Sequence, residues 1–155
     1  MHLLGLILFS WLSLSSASTA DNSIAVGVTL FEEHNVVAAH QFFTTFVQEQ
    51  PTNAVGAFYL GRTFFAREQF DQAIEWLNKA ILLDEHNADY HLWLGRACGY
   101  QAQHTSILWQ FPLARCVRQH FERAVELNPD HIHARADLAE YYMKAPWFLG
   151  GGQEK

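Results

Sequence analysis

The sequence predicts an all-α protein, an α-solenoid built from antiparallel helix pairs. Gly27, Gly61 and Gly95 lie 34 residues apart, and an apolar residue precedes each of them. Other positions recur at the same interval, namely Leu30, Phe64 and Cys98, then Ala39 and Ala73, then Phe43 and Leu77. A fixed period of this length is typical of solenoids, whose units bury their apolar faces only by stacking on one another.

The glycine register divides the chain into four units, with bounds 20–53, 54–87, 88–131 and a partial unit 132–155. The third unit is ten residues longer than the first two, because Pro129 follows the corresponding Glu85 by 44 residues. Glycine inside a helix costs about 1 kcal/mol relative to alanine. We therefore expect each glycine to lie where a neighbouring helix approaches closely.

Capping residues indicate where the helices begin. Asn53 and Asn87 stand at matching positions just before new helices, as N-caps do. In the fourth unit Asp130 or His131 takes that place. Proline ends the preceding helix at positions 51 and 129.

The added residues of the third unit run roughly over 99–111. In the arrangement that we favour, the first helix extends through Gln103, a loop follows, and Pro112 is the first residue of the second helix. In the alternative, both helices lengthen and project beyond the stack. Ile107, Trp109 and Phe111 are too apolar for a free loop. The segment should therefore fold back onto the solenoid or cover a partner.

The two cysteines, Cys98 and Cys116, both belong to the third unit. A disulfide is possible in an oxidising compartment. Cys98, however, aligns with the core positions of Leu30 and Phe64, which favours a small buried thiol beside an unrelated one. Both interpretations stay open from the sequence.

Residues 1–20 resemble a secretory signal peptide. The apolar stretch Leu3–Leu14 is too short to span a bilayer, and small residues precede the expected cleavage after Ala20. We therefore predict an exported protein, periplasmic or secreted, with no stable membrane span after cleavage. No Lys or Arg precedes the apolar run, so an uncleaved anchor or a buried N-terminal helix is the alternative.

Composition and motifs argue against several classes of function. The net charge of −6 disfavours nucleic acid as a partner. No Gly-x-Ser-x-Gly motif is present, and the triple glycine at 150–152 lacks the Lys of a phosphate loop. His131 and His133 lack a third ligand at zinc-site spacing. We expect neither an enzyme nor a bound cofactor or metal.

The repeated positions resemble the tetratricopeptide repeat (TPR), a helix-turn-helix unit of 34 residues. The residues that carry the resemblance are Gly27, Ala39 and Pro51, then Leu60, Gly61, Phe64, Ala73, Leu77 and Ala80, then Leu94, Gly95, Phe121, Ala124 and Pro129. Glu85, Phe46 and Ala139 depart from the pattern. The segment Ala-Pro-x-x-x-Gly-Gly-Gly that follows Tyr141-Tyr142 is also similar to one subset of exported bacterial TPR proteins. On this resemblance, residues 21–155 form the TPR domain.

The resemblance implies a concave groove lined by the first helix of each unit. The positions that it places there are Ile24, Val28, Phe31, Phe58, Arg62, Phe65, Leu92, Arg96, Gly99, Ala136, Glu140 and Met143. The peptide-binding candidates are Phe58, Arg62, Phe65, Leu92, Arg96 and Tyr100. Arg62 and Arg96 occupy matching places and would suit a peptide with an acidic group or a C-terminal carboxylate. Alternatively, both arginines pair with nearby carboxylates on the surface.

The expected function is that of a non-catalytic scaffold that binds a protein or peptide. The alternative is a structural segment of a longer TPR protein, whose groove packs against its own further C-terminal helices.

Overall fold

The computed structural model describes the backbone of residues 15–145 and the side chains of 24–145 apart from residues 107 and 109. Seven helices follow one another in this part of the chain: α1 Ser15–Glu32, α2 Val36–Glu49, α3 Ala54–Ala66, α4 Phe70–Leu83, α5 Ala88–Gln103, α6 Ile107–Leu127 and α7 Ile132–Lys144. The prediction of an all-α fold is confirmed. Of the predicted signal segment, residues 1–14 lie outside the described residues and 15–20 begin α1; the glycines at 150–152 also lie outside.

The helices pack as consecutive pairs, α1 with α2, α3 with α4 and α5 with α6, and each pair packs on the next. Three helices begin at the first residue of a predicted unit: α3 at Ala54, α5 at Ala88 and α7 at Ile132. The predicted N-caps are confirmed, because the side chains of Asn53, Asn87 and His131 accept hydrogen bonds from amides of the following first turns, at 3.0, 3.0 and 3.3 Å. In the fourth unit the cap is His131 rather than Asp130.

The repeated glycines mark the closest approach within each helix pair. A Cβ atom at Gly27, Gly61 or Gly95 would lie within 2.8 Å of a Phe or Leu side chain on the second helix of the same unit. A real Cβ atom essentially never makes a non-bonded contact that short. The glycines are therefore retained in spite of their low helix propensity because the second helix occupies the space that a side chain would need.

The apolar core runs through all the pairs. It consists of two buried clusters, one between α2 and α3 and a larger one that extends from α3 to α7. Tyr59, Phe64 and Trp76 pack against both clusters and join them. The alanines and leucines of the repeat are almost fully buried, including Ala39, Ala73, Leu77, Ala80, Leu94 and Ala124.

The ten added residues of the third unit all enter helices. Compared with the second unit, α5 is three residues longer than α3 and α6 is seven residues longer than α4, while the connecting loop keeps three residues. The extension of α5 through Gln103 is confirmed. The expectation that Pro112 begins the second helix is wrong, since it is the sixth residue of α6. Both helices lengthen because each supplies the other with a packing partner.

Cys98 and Cys116 form a disulfide that joins α5 to α6. The favoured expectation of two unrelated thiols is wrong, although Cys98 does occupy a core position and is 1 % exposed. The lengthened α6 places Cys116 opposite Cys98, with their Cα atoms 6.2 Å apart, which is within the range that a disulfide bridges. The register of the two lengthened helices could not be obtained from the spacing of the repeat.

Within residues 15–145, no helix combines the length and the apolar character that a membrane crossing requires.

Candidate functional site

A cavity of about 790 Å³ opens between α5, α6 and α7, at the end of the groove where the third unit is lengthened. Five predicted positions line it: the peptide-binding candidates Phe65, Arg96 and Tyr100, and the groove positions Gly99 and Glu140. Ala102 and Gln103 from the extension of α5 form part of the wall. The insertion therefore deepens this end of the groove to a size in the range of ligand pockets.

Two predicted groove residues lie in the core instead. Phe58 is 6 % exposed and its ring centroid lies 4.7 Å from that of Tyr90. Leu92 is 1 % exposed. Both belong to the larger apolar cluster, so in this structure neither offers a surface to a ligand. Their positions on α3 and α5 face the neighbouring helices because successive units stack through these side chains.

Aromatic rings form one wall of the cavity. The ring of Phe65 meets Trp93 and Tyr100 edge-on, with centroids 5.3 and 5.1 Å apart. Tyr100 also stacks on Phe70 at 5.5 Å. Tyr100 remains 47 % exposed, although its neighbours fix its orientation. The wall is thus a preformed aromatic surface, which suits an apolar or aromatic side chain.

The charged residues of the cavity neutralise one another. Arg96 donates from Nε to the Asp137 carboxylate at 2.6 Å, and both side chains are about three-quarters buried. Lys144 pairs with Glu140 one turn along α7 and thereby lowers the pKa of that carboxyl group. The alternative that the groove arginines pair with carboxylates is therefore confirmed for Arg96.

Arg62 lies in a different environment. Its guanidinium carbon is 4.4 to 5.5 Å from the ring centroids of Phe31, Phe58, Tyr59 and Trp93. Its Nε is buried and has no hydrogen-bond acceptor in the described part of the chain. Burial is the main cause that lowers its pKa. A charge held among aromatic rings in this way is stabilised by cation–π attraction but retains an unused donor.

Trp93 connects the two arginines, and it was not among the predicted site residues. Its ring lies 4.4 Å from the guanidinium carbon of Arg62 and 4.9 Å from that of Arg96. A signal was present in the sequence, because the 34-residue register aligns Trp93 with Tyr59, another of the aromatic residues beside Arg62. The repeat pattern draws attention to the recurring small residues, whereas this site depends on large ones next to them.

The remaining groove positions differ in what they contact. Phe31 lies under Arg62, while Ile24 and Val28 pack against the smaller core cluster. Ala136 lines a second cavity, beside Ile132, and Met143 is 68 % exposed. His131, considered above as a metal ligand, caps α7 and contacts Asp89 at 3.0 Å.

Comparisons with known proteins agree with this architecture. A tetratricopeptide repeat family model matches residues 30–97, and the family model of regulator of microtubule dynamics protein 1-3 matches residues 66–141. No curated protein matches the chain. The second match spans the lengthened unit and most of the cavity.

Several solved structures share the fold at low sequence identity. The TPR domain of Arabidopsis OM64 is 18 % identical, with 83 % of this chain and 98 % of that chain covered and a TM-score of 0.69. A TPR protein of Thermus thermophilus is 17 % identical, with 84 % and 66 % covered and a TM-score of 0.72. The second TPR domain of human RPAP3, solved in complex with the HSP70 peptide SGPTIEEVD, is 18 % identical, with 81 % and 96 % covered and a TM-score of 0.67.

The stacked helix pairs define the class of the protein as an α-solenoid. The 34-residue register, the glycine contacts and the matches together show a solenoid of the tetratricopeptide repeat type, whose residues 30–97 match the tetratricopeptide repeat family model.

Proposed function

We propose that this protein is an exported, non-catalytic scaffold that binds an extended segment of a partner protein along its groove. The observation that carries the proposal is the aromatic-walled cavity that the lengthened third unit adds to the groove. Its volume of about 790 Å³ accommodates one or two large side chains. The human RPAP3 domain, which shares the fold, is a precedent for peptide binding by such an array.

The two ends of the site favour different groups of the ligand. In the cavity Arg96 and Lys144 are already paired with acidic residues, so this end suits an uncharged apolar or aromatic side chain. Within the described part of the chain Arg62 has no carboxylate partner, so this end suits a carboxylate of the ligand. The proposed ligand is therefore a peptide with an acidic side chain or a C-terminal carboxylate and a bulky apolar residue near it.

Two features support export. The first twenty residues have the composition of a signal peptide. The Cys98–Cys116 disulfide is of a kind that persists in oxidising compartments and is rare in the cytosol. We infer a periplasmic or extracellular location from these two features together.

The proposal is tested with an array of C-terminal peptides that includes SGPTIEEVD, each with a free or an amidated C-terminus. We expect selected peptides with a free C-terminus to bind, and Tyr100→Ala to weaken their binding at least about 10-fold, which corresponds to about 1.4 kcal/mol. Leu82→Ala is the matched control, since Leu82 is 86 % exposed on α4. Absence of binding, or equal loss in both variants, would contradict the proposal.

A second candidate function follows from α7. Ile132 and Met143, on this helix, are 78 % and 68 % exposed. These side chains would be covered if the chain were a structural segment of a longer TPR protein. Sedimentation velocity distinguishes the two functions: a monodisperse monomer favours the scaffold, and self-association that Ile132→Glu abolishes favours the structural segment.

A further inference from the structure

The contact surface between α5 and α6, here called the α5–α6 seam, is held differently along its length. Three contacts mark it from one end to the other: the Cys98–Cys116 disulfide, the packing of Phe121 against Gly95, and the pairing of His91 with His120. The cysteine end is therefore closed covalently. The histidine end is closed only by non-covalent contacts.

The histidine pair makes a complete hydrogen-bond chain only while the His91 ring is neutral. The rings stack with centroids 5.2 Å apart, and their Nδ1 atoms are 3.0 Å apart. Nε2 of His91 lies 3.1 Å from the backbone carbonyl oxygen of Glu85, which can only accept, so Nε2 carries the hydrogen. Nδ1 of a neutral His91 is then an acceptor, and His120 donates to it from its own Nδ1.

Protonation disrupts this arrangement. A first added proton places a charge in a seam where His91 is 6 % exposed. A second places two cations and two N–H donors face to face. Among the charged groups that act on the pair, Arg123 repels the added charge, and the Glu85 carboxylate attracts it.

The direction of the pH effect follows from the pKa values. Burial, followed by the neighbouring ring of His91, lowers the pKa of His120 from 6.5 to about 4. Burial also lowers the pKa of His91. Because the closed state disfavours protons, the neutral pair stabilises the seam fully above pH 6.5, and this stabilisation is lost as the pH falls from 6.5 towards 4.

Opening of the histidine end would change the cavity because it would displace α7. This helix is attached to α5 and α6 by three polar contacts: His131 with Asp89, Asp137 with Arg96, and Tyr142 with Glu122. Asp89 lies two residues before His91, and Glu122 lies two residues after His120. Separation of the rings therefore displaces the anchoring residues of α7, which forms one wall of the cavity.

We propose that the α5–α6 seam is an acid-sensitive hinge, in which protonation of the histidine pair opens one end, the disulfide keeps the other closed, and the cavity loses its α7 wall. The role of the hinge in releasing a ligand rests on the function proposed above. The opening of the seam on protonation does not depend on that function.

Hydrogen–deuterium exchange of the oxidised full chain at pH 7.5 and 5.0 tests the hinge. His120→Asn keeps a side-chain donor for His91 but cannot titrate, and His86→Gln is the control, because the His86 side chain is 73 % exposed. At pH 5.0 we expect peptides from the histidine end to exchange roughly 30-fold faster in the wild type than in His120→Asn, from the shift of His120 alone. Peptides around the disulfide should exchange equally in both proteins, and His86→Gln should behave as the wild type.

A second measurement keeps the hinge testable if His120→Asn does not fold. In the wild type, NMR titration of the ring protons should show that the pKa of His120 is about 4 and that the pKa of His91 is lowered from 6.5. Equal exchange at the histidine end in wild type and His120→Asn, or ordinary titration of both rings, would overturn the hinge. Faster exchange at pH 5.0 with unchanged affinity for a groove-selected peptide would overturn only its regulatory role. Absence of peptide binding at every pH would count against the proposed function and leave the hinge standing.

Discussion

The close packing of the helix pairs can be tested by replacing glycine with alanine at two sites, Gly61 and Gly99. A neighbouring helix occupies the space for a side chain at Gly61 but not at Gly99. At Gly61 an alanine Cβ would lie 2.8 Å from Cγ of Leu77 and 3.2 Å from its backbone nitrogen. At Gly99 the nearest atom is Cγ2 of Val117, at an ordinary contact distance of 3.6 Å. Both glycines lie inside helices, so both variants gain about 1 kcal/mol of helix propensity.

The expected changes in the free energy of unfolding differ in sign. Overpacking at Gly61 costs about 1 to 3 kcal/mol because Leu77 is fully buried and its backbone cannot withdraw. Gly61→Ala should therefore lose about 1 kcal/mol net, whereas Gly99→Ala should gain up to about 1 kcal/mol. For a domain of this size each kcal/mol shifts the melting temperature by roughly 3 to 5 °C.

Urea unfolding followed by circular dichroism at pH 7.5, with the disulfide intact, measures both variants. The two midpoints should move in opposite directions from the wild type, with equal m-values. If Gly61→Ala proved as stabilising as Gly99→Ala, the glycine register would not reflect close helix approach, and our physical explanation of the repeat would be wrong.

Two further predictions concern the cross-link and the caps, and one concerns the cavity. Replacement of Cys98 by Ala and Cys116 by Ser should lower the free energy of unfolding by about 3 kcal/mol, because the disulfide closes a loop with a sequence separation of 18 residues; reductant should destabilise the wild type equally and leave the double variant unchanged. Asn53→Ala should cost about 1 kcal/mol in urea unfolding through loss of the cap of α3; an unchanged midpoint would contradict that role. Arg96→Ala should cost about 1 to 3 kcal/mol, because it leaves the three-quarters-buried Asp137 carboxylate without its partner; an added Asp137→Ala should recover part of this loss.

Much of the fold could be predicted because the repeat appears in the sequence as a regular spacing of residue types. Each glycine and alanine reports a local contact between helices that are adjacent in the chain, so spacing alone gives the pairing, the unit bounds and the caps. Asn53, Asn87 and Gly95 could therefore be interpreted without coordinates. The size of the insertion was also fixed by counting residues, since the register is intact on both sides of it.

The residues of the site were harder to predict from the sequence, for a physical reason. Whether Arg62 and Arg96 meet carboxylates or rings depends on side chains from four different units, and no spacing rule gives their distances. Phe58 and Leu92 were misplaced because their side chains point towards the stacked neighbour rather than into the groove.

The sequence by itself determined the repeating helix pairs, since a 34-residue period of small and apolar side chains is typical of helix pairs that bury their apolar faces by stacking. Only the tertiary structure decided how the ten added residues are used. Their placement at the ends of two facing helices brings Cys98 to Cys116 and creates the cavity beside Tyr100. The reason is that helix propensity is local, whereas the register of two lengthened helices is fixed by packing between residues distant in the chain.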